Sequence, residues 1–207
     1  GIIIGTAAVI AVMAVGQGAS QMVQAQIASI GNNLVMVYPG SPSPGGVHGG
    51  AGGQQSLTIR DADAITHECQ SIQAVSPIMR SYSQIVFRNR NWRTLMQGVA
   101  PEYQEIRNWT VRSGGFFDES DVRNGTRVCV IGETVASNLF EDVQAVGNMI
   151  RIDMIPFWVV GVLSRKGIAA WGQDQDDLVL MPWTAMQRVL QRSRFDNVSQ
   201  ILVSVAS

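Results

Sequence analysis

An α+β fold is expected for this 207-residue chain. Strand-like apolar runs and amphipathic helices alternate at both ends, and a strand-rich middle lies between them. The chain also opens on an uncharged run, GIIIGTAAVIAVMAV, whose one polar side chain is Thr6.

Composition narrows the classes. Hydrophobic residues make up 46%, ordinary for a packed domain, but charged residues only 15%, against the usual ~25%. The shortfall lies at one end, since every Asp, Glu, Lys and Arg stands at or after Arg60. A formal net charge of −1 supplies no basic field for nucleic acid. Lys166 is the sole lysine, and the only cysteines, Cys69 and Cys129, lack zinc-ligand spacing.

Residues 1–15 would extend about 22 Å as a helix, short of the ~30 Å hydrocarbon core. Three readings follow: the end of a transmembrane helix, a core helix, or the remnant of a secretion signal. The next stretch, QGASQMVQAQIASI, favours the first. Ala19, Val23, Ile27 and Ile30 form one apolar stripe on a continuing helix, and Gly31-Asn32 supplies a stop. A segment apolar all round that becomes one-sided is what a span leaving a bilayer presents. Gly5, Gly16 and Gly18 are either weak points in that rod or places of close packing against a neighbouring helix.

LVMVYP (34–39) reads as a short strand, followed by a Gly-, Pro- and Ser-rich loop over 39–56 with too little apolar surface to order itself. This loop does not have the lysine of a phosphate-binding Walker loop or a helix opening directly after its glycines. Thr58 and Asp61 have capping-box spacing for a helix from Ile59 to about Gln70, with Ala62, Ile65 and Cys69 inward. Asp63, His67 and Glu68 belong to its solvated face, because no third metal ligand can be named. IQAVSPIM, SQIVFRN and WRTLMQGV read as strands, with Asn89-Arg90-Asn91 as a turn. RVCVIG is a strand leading into the helix ETVASNLF, which has Glu133 at its positive end. MIRIDMIPFWVVGVL (149–163) reads as two strands around an Ile155-Pro156 break. The acidic loop GQDQDD, the strand LVLM, a helix over 183–191 and a strand over 199–205 complete the chain. No nucleophile–base set or metalloprotease motif occurs, so no catalytic, cofactor-binding or metal site is assigned.

Several stretches, in order and nearly end to end, carry a resemblance: IIIGTAAVIAVMAVGQGA, LTIRDADAI, QGVAPEY, GGFFDESDV, RVCVIGETVASNLF, PFWVVGVLSRKG and DQDDLVLMP. They resemble the periplasmic core domain of MacB-like ABC exporter permeases, the macrolide-exporter family. The resemblance implies a porter-like β-α-β subdomain, residues 32–100 and 165–207, interrupted by a smaller β-rich inserted subdomain over 101–164. Before both come the end of the first transmembrane helix and its periplasmic extension, residues 1–31.

It also implies a place in the bacterial inner membrane with this domain facing the periplasm, and a homodimeric permease. The expected partners are a cytoplasmic ATPase domain that binds ATP-Mg, a MacA-like adaptor and a TolC-type outer-membrane channel. The chain itself would be a mechanical and docking module with no catalysis or cofactor of its own. The alternatives are the corresponding domain of a lipoprotein-releasing permease, or a membrane-anchored binding or sensor domain without transport.

An oxidising periplasm would permit a Cys69–Cys129 disulfide, worth roughly 4 kcal/mol for a loop of about 60 residues if the geometry allows. Buried free thiols are the alternative. Arg165, Lys166, Asp174, Asp176 and Asp177 form a candidate partner-docking loop, the alternative being an ordinary solvated loop. Trp109 and Trp171 are candidate contact aromatics or core residues.

Overall fold

A computed structural model describes residues 34–40, 57–141, 143–169, 172–191 and 196–205, together with Val12, Met13 and Gly16. The expected opening helix, Gly5, Gly18, most of the Gly-rich loop and Trp171 lie outside the described residues. Among the described residues no helix is long and apolar enough to cross a membrane.

The fold is α+β and dominated by sheet, as expected. The described residues form nine strands, β1 (Leu34–Val37), β2 (Ile72–Phe87), β3 (Arg90–Val99), β4 (Val111–Gly114), β5 (Val128–Ile131), β6 (Met149–Ile152), β7 (Ile155–Leu163), β8 (Leu178–Pro182) and β9 (Gln200–Val205). They run in the order β1-β9-β2-β3-β8-β5-β7-β4, and β6 bridges β2 and β7. The β3–β8 and β5–β7 pairs are parallel and the others antiparallel. The helices are α1 (Ile59–Glu68), α2 (Tyr103–Ile106), α3 (Glu119–Asn124), α4 (Glu133–Phe140) and α5 (Trp183–Ala185). The last continues as a π-helical segment, Met186–Gln191.

β2 is the spine. The two runs read from sequence as separate strands form one 16-residue strand. Its first half pairs with β9, and its second half with β3 and β6. The turn into β3 is Arg88-Asn89, one residue earlier than expected, with Arg88 at φ 54°. The β6–β7 turn falls at Asp153-Met154, ahead of the expected Ile155-Pro156 break. Both residues have positive φ, 46° and 72°, the signature of a type I′ hairpin turn. The Ser83 hydroxyl donates to the Asp153 carboxylate and anchors that turn on β2.

Strand pairing crosses the expected subdomain boundary: β5 pairs with β8, and β6 with β2.

Local chemistry sets the helix ends. The Asp61 carboxylate accepts from the Thr58 N–H at 2.7 Å and from the Thr58 hydroxyl at 2.8 Å, which fixes the start of α1. Asp118 accepts from the Ser120 and Asp121 N–H groups to start α3, and Gly125 at φ 65° ends it. Two apolar clusters flank the sheet. One packs α4 through Val135, Leu139 and Phe140; the other packs Tyr103, Ile106, Trp109 and Val122.

Candidate functional site

Residues 164–169 and 172–177 pair with each other as the two arms of a loop. Ala169 N–H donates to Gln173 O at 2.8 Å, Gln175 N–H to Gly167 O at 3.1 Å, and Ile168 bridges Asp174. Its organiser is Asp176, whose side chain is 2% exposed. One carboxylate oxygen accepts from Lys166 N–H and the other from Gly167 N–H, both at 2.8 Å. An ionised acceptor holding two backbone donors is a strong local clamp.

Most of the five loop residues singled out in the sequence face the protein. Asp174 accepts from the Thr134 hydroxyl at 2.7 Å and from Asp176 N–H at 2.9 Å, which ties the loop to α4. Asp177 accepts from the Trp92 indole N–H at 2.8 Å, tying it to β3. The Lys166 ammonium donates to the Arg107 carbonyl and lies over the Trp109 ring, 4.9 Å from its centroid. Burial, then the neighbouring Arg107 charge, push the Lys166 amine down to about 8, against a smaller upward pull from Asp176. Arg165 points outward, its side chain 81% exposed and its Nε 4.0 Å from Asp176, and Asp174 is exposed as well. Ile168, 67% exposed, stands beside it on the loop.

Trp109 is a core residue, 2% exposed, and its indole N–H donates to Ser164 O at 2.7 Å. Cys69 and Cys129 are free thiols. Cys69 caps the end of α1 and is exposed, outside the inner face where the spacing had placed it. Cys129 sits fully buried in β5 with Sγ 3.5 Å from Trp158 O, and burial pushes its thiol far up.

Beside the loop, the sheet face carries a cavity of about 320 Å³. Its floor comes from β1, β9, β2, β3 and β8, and its cover from Tyr103, Arg107, Trp109 and the loop itself. Sequence reasoning missed this cavity. Gln97 and Gln200 are polar residues in strands, and only the pairing register shows that they share its floor.

A sheet-dominated α+β domain with its first and last strands adjacent is the class this architecture defines. The chain matches the MacB-like periplasmic core domain over residues 1–207, and it belongs to that family. It is 42% identical over 208 residues to the macrolide export ATP-binding/permease protein MacB of Syntrophobacter fumaroxidans, covering 100% of this chain and 29% of the relative. The MacB protein of Bdellovibrio bacteriovorus is 41% identical over 199 residues, with 96% and 30% covered. The chain thus spans under a third of these relatives' length.

Among solved structures, the periplasmic region of MacB from Actinobacillus actinomycetemcomitans superposes with a TM-score of 0.73 at 21% identity, covering 87% of this chain and 78% of that one. The extracellular domain of the ABC-type transporter YknZ from Gram-positive bacteria gives 0.66 at 16% identity, with 84% of each chain covered. Both confirm the fold.

Proposed function

We propose that this chain is the periplasm-facing domain of an inner-membrane ABC efflux permease, and that it couples ATP-driven motion of membrane helices to export. One structural observation supports the reading above the others. β1 and β9 lie side by side, with Leu34 opposite Ser204, so the chain enters and leaves the folded domain at one place. A domain inserted between two consecutive membrane helices needs that arrangement. β9 pairs with β1 on one side and β2 on the other. A displacement delivered to either end therefore passes through continuous backbone ladders into the spine, which carries it to β3 and β6.

The ATPase would be a separate cytoplasmic domain using ATP-Mg, and this domain would work as a dimer with a MacA-like adaptor and a TolC-type channel. The docking edge would include the exposed residues of the loop, Arg165, Ile168 and Asp174. The related proteins are named as macrolide exporters, which makes erythromycin the first probe. In a strain lacking its own exporter, the full-length gene with adaptor and channel should raise the inhibitory erythromycin concentration. Replacing residues 34–205 by a short linker, or omitting the adaptor gene, should abolish the gain. Protection that persists without the domain would refute the proposal.

A further inference from the structure

The cavity beside the loop has the chemistry of a binding site. Paired residues in a ladder point to the same side of a sheet. The pairs Arg80–Gln97, Ile78–Gln200, Met36–Leu202 and Leu95–Leu178 therefore place two amides and a guanidinium among aliphatic side chains on one face. Gln200 is 3% exposed, yet its amide makes no hydrogen bond to the described protein, and it lines the cavity. The polar atoms of that amide open to the cavity, so a ligand there can take up their hydrogen bonds. Gln97 accepts from the Tyr103 hydroxyl at 3.2 Å through Oε1, which leaves its NH₂ as a donor.

The charged groups that line the cavity, Arg80 and Arg107 with Asp174 and Asp177, form no ion pair with one another among the described residues. Among the described residues neither Arg80 nor Arg107 has a carboxylate within ion-pair distance, and the Arg107 Nε is buried without a partner. Both guanidiniums act on the Tyr103 hydroxyl. The acids at the rim are already engaged: both Asp174 oxygens accept from Thr134 and Asp176, and Asp177 accepts from Trp92. The lining thus combines two guanidiniums without an ion-pair partner among the described residues, amide donors and an apolar wall, with two hydrogen-bonded carboxylates at the rim. Guanidinium is the group best shaped to grip a carboxylate. A volume of about 320 Å³ lies at the small end of the ~300–1,000 Å³ typical of ligand pockets.

We propose that this cavity binds a small organic carboxylate, with its acid group held by Arg80, Arg107 and the Gln200 amide and its apolar body against Leu95, Leu178 and Trp109. The proposal stands independently of the export reading, because it rests on this cavity alone.

The experiment is an NMR titration of the full chain with 3-phenylpropionate, its neutral amide 3-phenylpropionamide, and sulfate. The carboxylate should saturably shift the side-chain amide signals of Gln97 and Gln200 and the indole N–H of Trp109. The neutral amide and sulfate should each bind at least about tenfold more weakly, as loss of a charge-assisted contact or of the apolar body predicts. Arg80→Gln, at an exposed strand position, and Arg107→Gln should each weaken the carboxylate about tenfold, with Arg80→Gln leaving the melting temperature unchanged. No saturable shift with the carboxylate, equal binding of its amide, or an equal response to sulfate would each overturn the proposal.

Discussion

Replacing Asp176 by Ala removes the acceptor that holds the loop. The carboxylate takes two backbone N–H groups at 2.8 Å in a position 2% exposed. Hydrogen bonds to a charged acceptor contribute ~1.5–3 kcal/mol each, and orphaned buried donors cost a similar amount. Desolvation of the carboxylate in the native state offsets part of that gain. The net expected loss is about 3 kcal/mol, a large share of the ~5–15 kcal/mol that holds a domain folded. The Arg165 contact adds little, being 4.0 Å long with an 81% exposed partner, so Arg165→Ala should stay within about 0.5 kcal/mol of the parent. Asp176→Asn keeps one acceptor oxygen and should fall between the two. Equilibrium urea denaturation followed by tryptophan fluorescence measures all three, with an unchanged m-value as the check that only stability moved. Hydrogen exchange at the Lys166 and Gly167 amides should accelerate in Asp176→Ala. A loss below about 0.5 kcal/mol, with both amides still protected, would refute the clamp.

Three further outcomes are expected. A Cβ at Gly132 would lie 2.1 Å from the Asp176 carbonyl oxygen, so Gly132→Ala should destabilise the fold by at least about 2 kcal/mol; Gly115→Ala, which meets nothing, is the control in the same denaturation assay. Lys166 is the sole lysine, so in ¹³C NMR of the reductively methylated chain the dimethylamine signal that Lys166→Met removes, distinct from that of the α-amine, reads its titration; a midpoint near 8 is expected, against 10.5 for a free lysine amine. Because the folded value is lowered, the buried charge destabilises the fold at every pH below about 8. Stability should then rise as pH climbs from 8 towards 10.5, where the unfolded chain binds the extra proton. Lys166→Met should abolish that rise. For the thiols, Ellman titration of the native chain should count Cys69 at once and Cys129 only after denaturation, as their exposure and burial require; a chain showing no thiol even when denatured would indicate a disulfide.

The elements with strong local signals were legible in the sequence. The helix over 133–140 lies where its period and Glu133 put it, and the LVLM strand begins at Leu178 as read. Thr58 and Asp61 cap α1 as their spacing indicated. What failed is equally local. α2 and α3 are four and six residues long, too short to show a helical period. Their caps, at Asp118 and Gly125 in α3, were the only clue. β2 looked like two strands because Arg80-Ser81-Tyr82 fell between the two runs as punctuation. In the fold these residues sit where the strand changes partners from β9 to β3, so no turn is needed. Ile155-Pro156 attracted the β6–β7 break for the same reason. The turn moved to Asp153-Met154 because the Ile152–Ile155 pair keeps both isoleucines on the ladder.

The cavity shows why a functional surface can be invisible along a chain whose elements are nearly all visible. Gln200 lies in the strand read over 199–205, and Gln97 in the strand WRTLMQGV, each as a polar residue in an apolar run. Each is correct as a local statement about residue type. Burial depends on which strand lies alongside, and that is fixed by loop-closing distances no window of sequence contains. Antiparallel pairing with β2 sets Gln200 opposite Ile78 and Gln97 opposite Arg80. Slipping either pairing by one residue would turn the amide to the other side of the sheet. The acidic loop reverses the same lesson. Its charges looked like a solvated edge, yet Asp174, Asp176 and Asp177 accept the hydrogen bonds that hold the loop in place, and among the described residues none of them forms an ion pair with Arg80 or Arg107 beneath it. Clamp and cavity are therefore one arrangement: loosening Asp176 should also weaken carboxylate binding, because Lys166, Trp109 and the cover they form are held by the loop that Asp176 closes.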